Sequence, residues 1–386
     1  MDIKQQILDC VYSTPSGREF AFSSSSDGMR KSFRNSVAEF LKSKKHDEAA
    51  QKCRDMYFSM LDMHDKYPEL FPPIDRLNAD ELYGTHVYSG QRLHFSHQAN
   101  VFLLGLYIYH NFGPLRKQID KEMEETTVEI RSDEEFPFRY SGGNQYGEFL
   151  YRWRLSSLCH DIGTGIRLCQ GESKKIAETL RRFRFQKPVG TIKELGIFEG
   201  RDLLDELDKA SGVIKFSQYV RFQEAQPFPD SVHHDHGIMG SLVFLQFMHG
   251  AFSRHQENQI SRNTEGMKVF WHPEILSHSI IQIALCIAMH NLDIYLQALQ
   301  NACSGEMKIF DMQRRPLAWL LKIADVLQEW DKPKIGTGEV GQELSTNLEI
   351  SFSASKILVK NFPEDKKEET KRTISSFTKP NNIISL

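Results

Sequence analysis

The longest apolar runs of this 386-residue chain are VFLLGLYIY at 101–109 and IIQIALCIAM at 280–289. Each is about half a membrane span, so both read as buried helices. Around them, apolar positions recur at three- and four-residue intervals, the period of an amphipathic helix. DEAAQKCRDMYFSMLDMHDKY places Ala49, Cys53, Met56, Met60 and Leu61 on one stripe. GMRKSFRNSVAEFLKSK does the same through Phe33, Val37, Phe40 and Leu41, with Ser and Asp just upstream as caps. Further helices are predicted over 97–111, 147–162, 172–186, 200–210, 236–252, 275–300 and 315–330.

Two stretches break the pattern. Residues 113–146 run from GPLRKQ through an acidic segment to YSGGNQYG, and read as an inserted excursion between core helices. DKPKIGTGEVGQELST at 331–346 reads as a linker. Its Gly336, Gly338 and Gly341 lack the preceding strand and the Lys-Ser/Thr of a phosphate loop. Beyond it NLEISF alternates and KILVKNF supplies a second apolar run, which predicts a strand hairpin. A short helix over PEDKKEETKRTISSF follows, with Pro near its start. The expected class is mainly α. An N-terminal helical segment (1–88) packs on a helical core (89–331) or mediates self-association, and a linker (332–346) leads to a small α+β appendage (347–386).

Composition narrows this little. A 40% hydrophobic, 26% charged chain with net charge −3 can build a globular core and has no global field for nucleic acid or anionic membrane. The local basic run RRFRFQKP is read as a solvated helix face. The start MDIKQQILDC has no secretory pattern, and six cysteines without a CxxC suit a reducing cytoplasm.

Histidines and acids on the apolar helices change the picture. Of 15 histidines, His46, His64, His86, His110, His249, His255 and His272 sit in unremarkable contexts. His97 opens HQANVFLLGLYIY; a helix-terminal packing role is the plain alternative, and His94 competes with it. His160 and Asp161 end FLYRWRLSSLCHD. Adjacent helical residues point about 100° apart, so the two grip one site only if it lies off the helix end or between them. A buried carboxylate beside an imidazole needs a cation or hydrogen bonds, although a solvent-exposed pair would need neither. His236 lies at the mouth of an apolar helix with His233, His234 and Asp235 beside it, and Gly240 one turn on permits close backbone approach. His290 and Asn291 end SIIQIALCIAMHN, with His278 upstream read as packing. Asp325 sits among apolar neighbours in PLAWLLKIADVLQEW, paired either with Lys322 or with a metal.

The ordered set His, His-Asp, His, His, Asp resembles the HD superfamily of metal-dependent phosphohydrolases. It is carried by HQANVFLLGL, LSSLCHDIG, DHGIMGSLVF, IALCIAMHN and LLKIADVLQEW and spans about residues 90–331. The resemblance implies an HD-like helical bundle and a ligand set of His97, His160, Asp161, His236, His290 and Asp325, with Asp161 bridging two divalent ions. Imidazole and carboxylate suit Mn, Fe, Ni, Co or Zn, and hold Mg less characteristically. Two ions about 3.5–4 Å apart clamp a phosphoryl oxygen and acidify water toward pH 7. Thr164 stands where many phosphodiesterase members have Lys. His94 and TGIRL stand where the triphosphohydrolase branch has Arg and His-Gly-Pro.

The expected activity is a phosphohydrolase or phosphodiesterase acting on a nucleotide or related phosphate ester, with Asp161, His236 and Lys322 as the catalytic residues. His94, His234, Arg314 and Arg315 are substrate-binding candidates, the two arginines equally well surface residues. The alternatives are a di-iron oxygenase on the same fold, or a nucleotide-sensing module whose tail relays its state. The expected partner is a small phosphorylated molecule, with no membrane, no strong nucleic-acid signal, and self-association open.

Overall fold

A computed structural model of the chain describes residues 1–13, 27–43, 52, 56, 94–126, 145–163, 203–211, 216, 236–238, 240–245, 248, 279–291, 312–330, 347–377 and 383–386. Of these, 76% are helical and the remaining regular structure is one small sheet, so the class is mainly α with a C-terminal α+β appendage. The chain forms two compact units. One comprises 1–123, 144–158 and 309–386; the other comprises 124–143 and 159–308.

In the first unit α1 (Ile3–Tyr12) buries Ile3, Ile7, Leu8, Cys10 and Val11. The Asp2 carboxylate caps it by accepting from the Lys4 N–H at 2.7 Å. Its Ile3, Ile7, Leu8 and Val11 follow helical spacing within the segment expected to be helical, although the sequence reading did not single this helix out. Packed against it are α2 (Asp27–Lys42), which carries the Phe33, Val37, Phe40 and Leu41 stripe, and α3 (His94–Asn111). From Val101 to Tyr109 α3 is apolar and buried on every face, as an enclosed helix stretch must be. α5 (Gln145–Cys159) runs antiparallel to it: Tyr109 stacks on Phe149 with ring centroids 3.9 Å apart, and Trp153 Nε1 donates to Phe102 O at 3.0 Å. Gly105 makes this packing fit, because a Cβ there would lie 1.9 Å from Trp153 Cζ2.

Residues 113–126 correct the expected excursion. They form α4 (Gly113–Thr126), which buries Leu115, Ile119 and Met123. Three apolar residues spaced by four make a stripe too narrow to stand out among so many charges. Residues 127–144 lie outside the described residues. α8 (Pro316–Leu327) is buried along nearly its whole length, packs on α3, and has its first-turn Leu317 N–H bound to Glu122 Oε2 at 3.1 Å. The appendage is the expected hairpin, β1 (Glu349–Phe352) antiparallel to β2 (Ile357–Lys360), followed by α9 (Glu364–Phe377). A strand absent from the sequence reading, β3 (Ile384–Ser385), pairs parallel to β2. Tyr107 of α3 donates to Ile350 O at 3.3 Å and tilts against Phe352, which seats the sheet.

In the second unit α6 (Leu203–Ser211) packs on α7 (Ile281–Met289), and residues 236–238, 240–245 and 248 are helical. α7 ends at Met289, with His290 as its C-cap and a turn at Asn291, which breaks the helix predicted over 275–300; residues 275–278 and 292–300 lie outside the described residues. The helix predicted over 172–186 and the linker lie outside the described residues, as does most of the 47–67 helix, of which Lys52 and Met56 are helical. Among the described residues no helix is long and apolar enough to cross a membrane.

Candidate metal centre

Three chain segments of the second unit build one cluster. α5 stops at Cys159, and His160, Asp161 and Ile162 form a turn closed by Ile162 N–H to Cys159 O at 3.1 Å. His160 and Asp161 therefore leave the helix, which removes the divergence that adjacent helical positions would impose. The turn sits against the helix of residues 236–245 through paired glycines. A Cβ on Gly163 would lie 2.1 Å from His236 O and 2.5 Å from Gly240 N, so only glycine allows that approach. The third segment is the end of α7, which delivers His290 from a helix buried at every position but Gln282.

The ligand-type atoms converge on Asp161. Its Oδ1 lies 3.5 Å from His236 Nε2 and 3.9 Å from His290 Nε2, and its Oδ2 lies 3.3 Å from His160 Nε2. The two histidine Nε2 atoms are 3.1 Å apart, and the His160 and His236 rings both stand edge-on to His290. His160, Asp161 and His290 are buried and His236 is half-buried. His290 Nδ1 lies 2.6 Å from Ile287 O; a carbonyl only accepts, so Nδ1 carries the proton and the Nε2 lone pair faces the cluster. Asn291 Nδ2 sits 3.1 Å from His236 Nδ1. Burial pushes the neighbouring Cys159 thiol up to about 12, so it packs as a neutral apolar side chain.

These residues fit a divalent metal. Bonds of about 2.0–2.2 Å meeting at 90–110° put neighbouring donor atoms about 3.0–3.4 Å apart. The 3.1 and 3.5 Å separations are close to that range, and 3.9 Å corresponds to a wider angle. The Asp161, His236 and His290 donors all lie within 4.8 Å of one another.

The first unit holds the pair of His97 and Asp325. His97, in the first turns of α3, points Nε2 at Asp325 Oδ1 of α8 at 2.9 Å. Its Nδ1 lies 2.5 Å from Gln328 Oε1. His97 is buried and Asp325 is half-buried. Asp325 thus has a histidine partner, a pairing that competes with the Lys322 salt bridge weighed from the sequence. Lys322 is buried in α8, Arg315 is half-buried just before it, and Arg314 is exposed. His94 begins α3, so the helix starts one turn earlier than predicted. His233, His234, Asp235, His278 and Thr164 lie outside the described residues.

Sequence reasoning missed Gln328, an amide in a helix end that carries no signal until its neighbours are known. Its spacing to Asp325, three residues along the same helix, was the available clue. No protein-family model, curated protein or solved structure matches the chain.

Proposed function

We propose that the chain is a metal-dependent phosphohydrolase or phosphodiesterase acting on a nucleotide or related phosphate ester. The observation that carries the reading is the buried convergence of Asp161, His236 and His290, in which one carboxylate meets two imidazoles at donor-to-donor spacing. The order of these residues along the chain, shared with the HD pattern, assigns His97, His160 and Asp325 to the same ligand set.

When bound, divalent metal supplies Lewis acidity: it brings water within reach of deprotonation near neutral pH and neutralises charge at a phosphoryl oxygen. The chain's own residues do the rest. Asp161 provides the shared carboxylate, with both oxygens directed at imidazole nitrogens. Ile287 O holds the His290 Nδ1 proton and so keeps the ring's Nε2 lone pair presented. His236, the more accessible imidazole, is held at Nδ1 by Asn291, which directs its Nε2 into the cluster. Lys322, one turn from Asp325 on α8, is the cation assigned to the substrate phosphate.

The test is a panel of nucleotide and phosphate-ester substrates offered to metal-replete protein, with phosphate or ester cleavage as the readout. Turnover that requires metal and falls to background in Asp161→Ala is expected. Oxygen consumption without phosphate release would replace this reading with the oxygenase alternative, and tight nucleotide binding without turnover would replace it with a sensor.

A further inference from the structure

We infer that Gln328 is a positioning residue that fixes which nitrogen of His97 carries the proton, and so turns His97 Nε2 and Asp325 into a prepared pair of metal donors. The inference rests on the functional reading above for its metal, and on local geometry for everything else.

Gln328 is the C-cap of α8, is 1% exposed, and is tied at several points. Its backbone N–H donates to Ala324 O at 3.1 Å. Its side-chain Nε2 donates to Trp330 O at 2.5 Å. The next residue, Glu329, is anchored to Lys366 of α9 at 3.2 Å. A backbone carbonyl only accepts, so the contact with Trp330 O must be made by the NH2 end of the amide. That leaves Oε1 facing His97 Nδ1, and an amide oxygen also only accepts. The Nδ1 atom is therefore the protonated one.

The consequence falls on the other side of the ring. With the Nδ1 proton held by Gln328, Nε2 is the ring nitrogen left to meet Asp325 Oδ1, 2.9 Å away. A proton held between the two atoms closes them as an ion pair, and a divalent metal that displaces that proton takes both atoms as donors. Asp325 and Gln328 lie three residues apart, so one turn of α8 supplies the carboxylate and orients its imidazole partner. In the second unit Ile287 O does the same for His290 with a backbone carbonyl. A side-chain amide in that role can be replaced without touching the backbone, which makes the inference testable.

The experiment compares full-length wild type, Q328M and Q328E. Metal affinity is measured with Mn(II) and Zn(II) by chelator competition, and the His97 tautomer by histidine-selective 15N NMR. Q328M, similar in volume but with no strong acceptor, is expected to weaken metal binding by about 10- to 100-fold. Q328E keeps an acceptor for the Nδ1 proton but loses the donor to Trp330 O, so it is expected to recover part of the affinity lost in Q328M, which a purely structural role would not do. Equal affinity in Q328M and wild type, or equal losses in Q328M and Q328E, would overturn the inference. Wild type that takes up no metal would overturn the functional reading instead. His97 would then still report: Nδ1 protonated in wild type and Q328E and mixed in Q328M is expected, and an unprotonated Nδ1 in wild type overturns the inference.

Discussion

The two ends of α5 bury charge in two different ways. Near its start Glu148 and Arg152, four residues apart and almost wholly enclosed, meet at 2.6 Å. Carboxylate and guanidinium neutralise one another within a single helical turn. Just past its end Asp161 is just as deeply enclosed, but the groups facing its oxygens are three imidazoles. Neutral imidazole brings lone pairs and no charge. The first arrangement pairs opposite charges, whereas the second gathers donors of the kind that hold a cation. Burial of charge alone thus does not mark a site; the chemistry of its partners does.

That contrast can be broken from the closed side first. Arg152→Met removes the guanidinium 2.6 Å from the buried Glu148 carboxylate, and is expected to cost about 3–5 kcal/mol in denaturant unfolding. The double change Glu148→Leu with Arg152→Met is expected to recover most of that loss, because an apolar pair of similar volume needs no neutralisation. Neither change should alter metal content per folded chain. A double variant as unstable as the single one would mean that the pair does more than satisfy itself.

The open side depends on close backbone approach, which gives the next effect in size. Gly163→Ala places a methyl group against His236 O and the Gly240 backbone. A loss of about 1–3 kcal/mol is expected, together with weakened metal binding, because Asp161 and His236 can no longer close to their present spacing. At Gly240 the same methyl would meet atoms at 3.2–3.4 Å, so Gly240→Ala is expected to be milder in both assays. Equal effects at the two glycines would contradict the packing argument. Smaller again, Asp325→Asn is expected to weaken metal retention by about 10-fold or more while leaving the fold intact, and His278→Gln to leave retention unchanged. Equal losses from these two would remove Asp325 from the ligand set.

The smallest effect belongs to an exposed pair, where solvent does most of the neutralising. The Met1 ammonium lies 2.7 Å from Glu349 and holds that carboxyl below its ordinary 4.5. A depressed folded value means that the contribution is present above about pH 4.5 and is lost as pH falls through the lower folded value. Glu349→Gln should therefore flatten the acid limb of the stability profile slightly and leave the thermal midpoint at pH 7 almost unmoved.

Much of this was readable along the chain because apolar helices are intolerant hosts. His160 and Asp161 closing LSSLCHD, His290 closing IALCIAMHN, and Asp325 inside PLAWLLKIADVL all stand out against a buried background, and the structure delivers each from the helix its pattern predicted. His236 was one of three neighbouring histidines; it lies 3.5 Å from Asp161, and His233 and His234 lie outside the described residues. α4 went unread because Leu115, Ile119 and Met123 form a thin line among charges, and β3 because two residues carry no period. Gln328 was invisible for a different reason: its role lies in which end of its amide faces His97, a fact of three-dimensional neighbours.

The most direct test of the account is metal content per chain, measured by elemental analysis after chelation and reloading with Mn(II) or Zn(II), for wild type and for Asp161→Ala. The account predicts about two equivalents in wild type and a substantial loss in the variant, with both proteins folded. Wild type that returns free of metal, or a variant that retains the full complement, would contradict it.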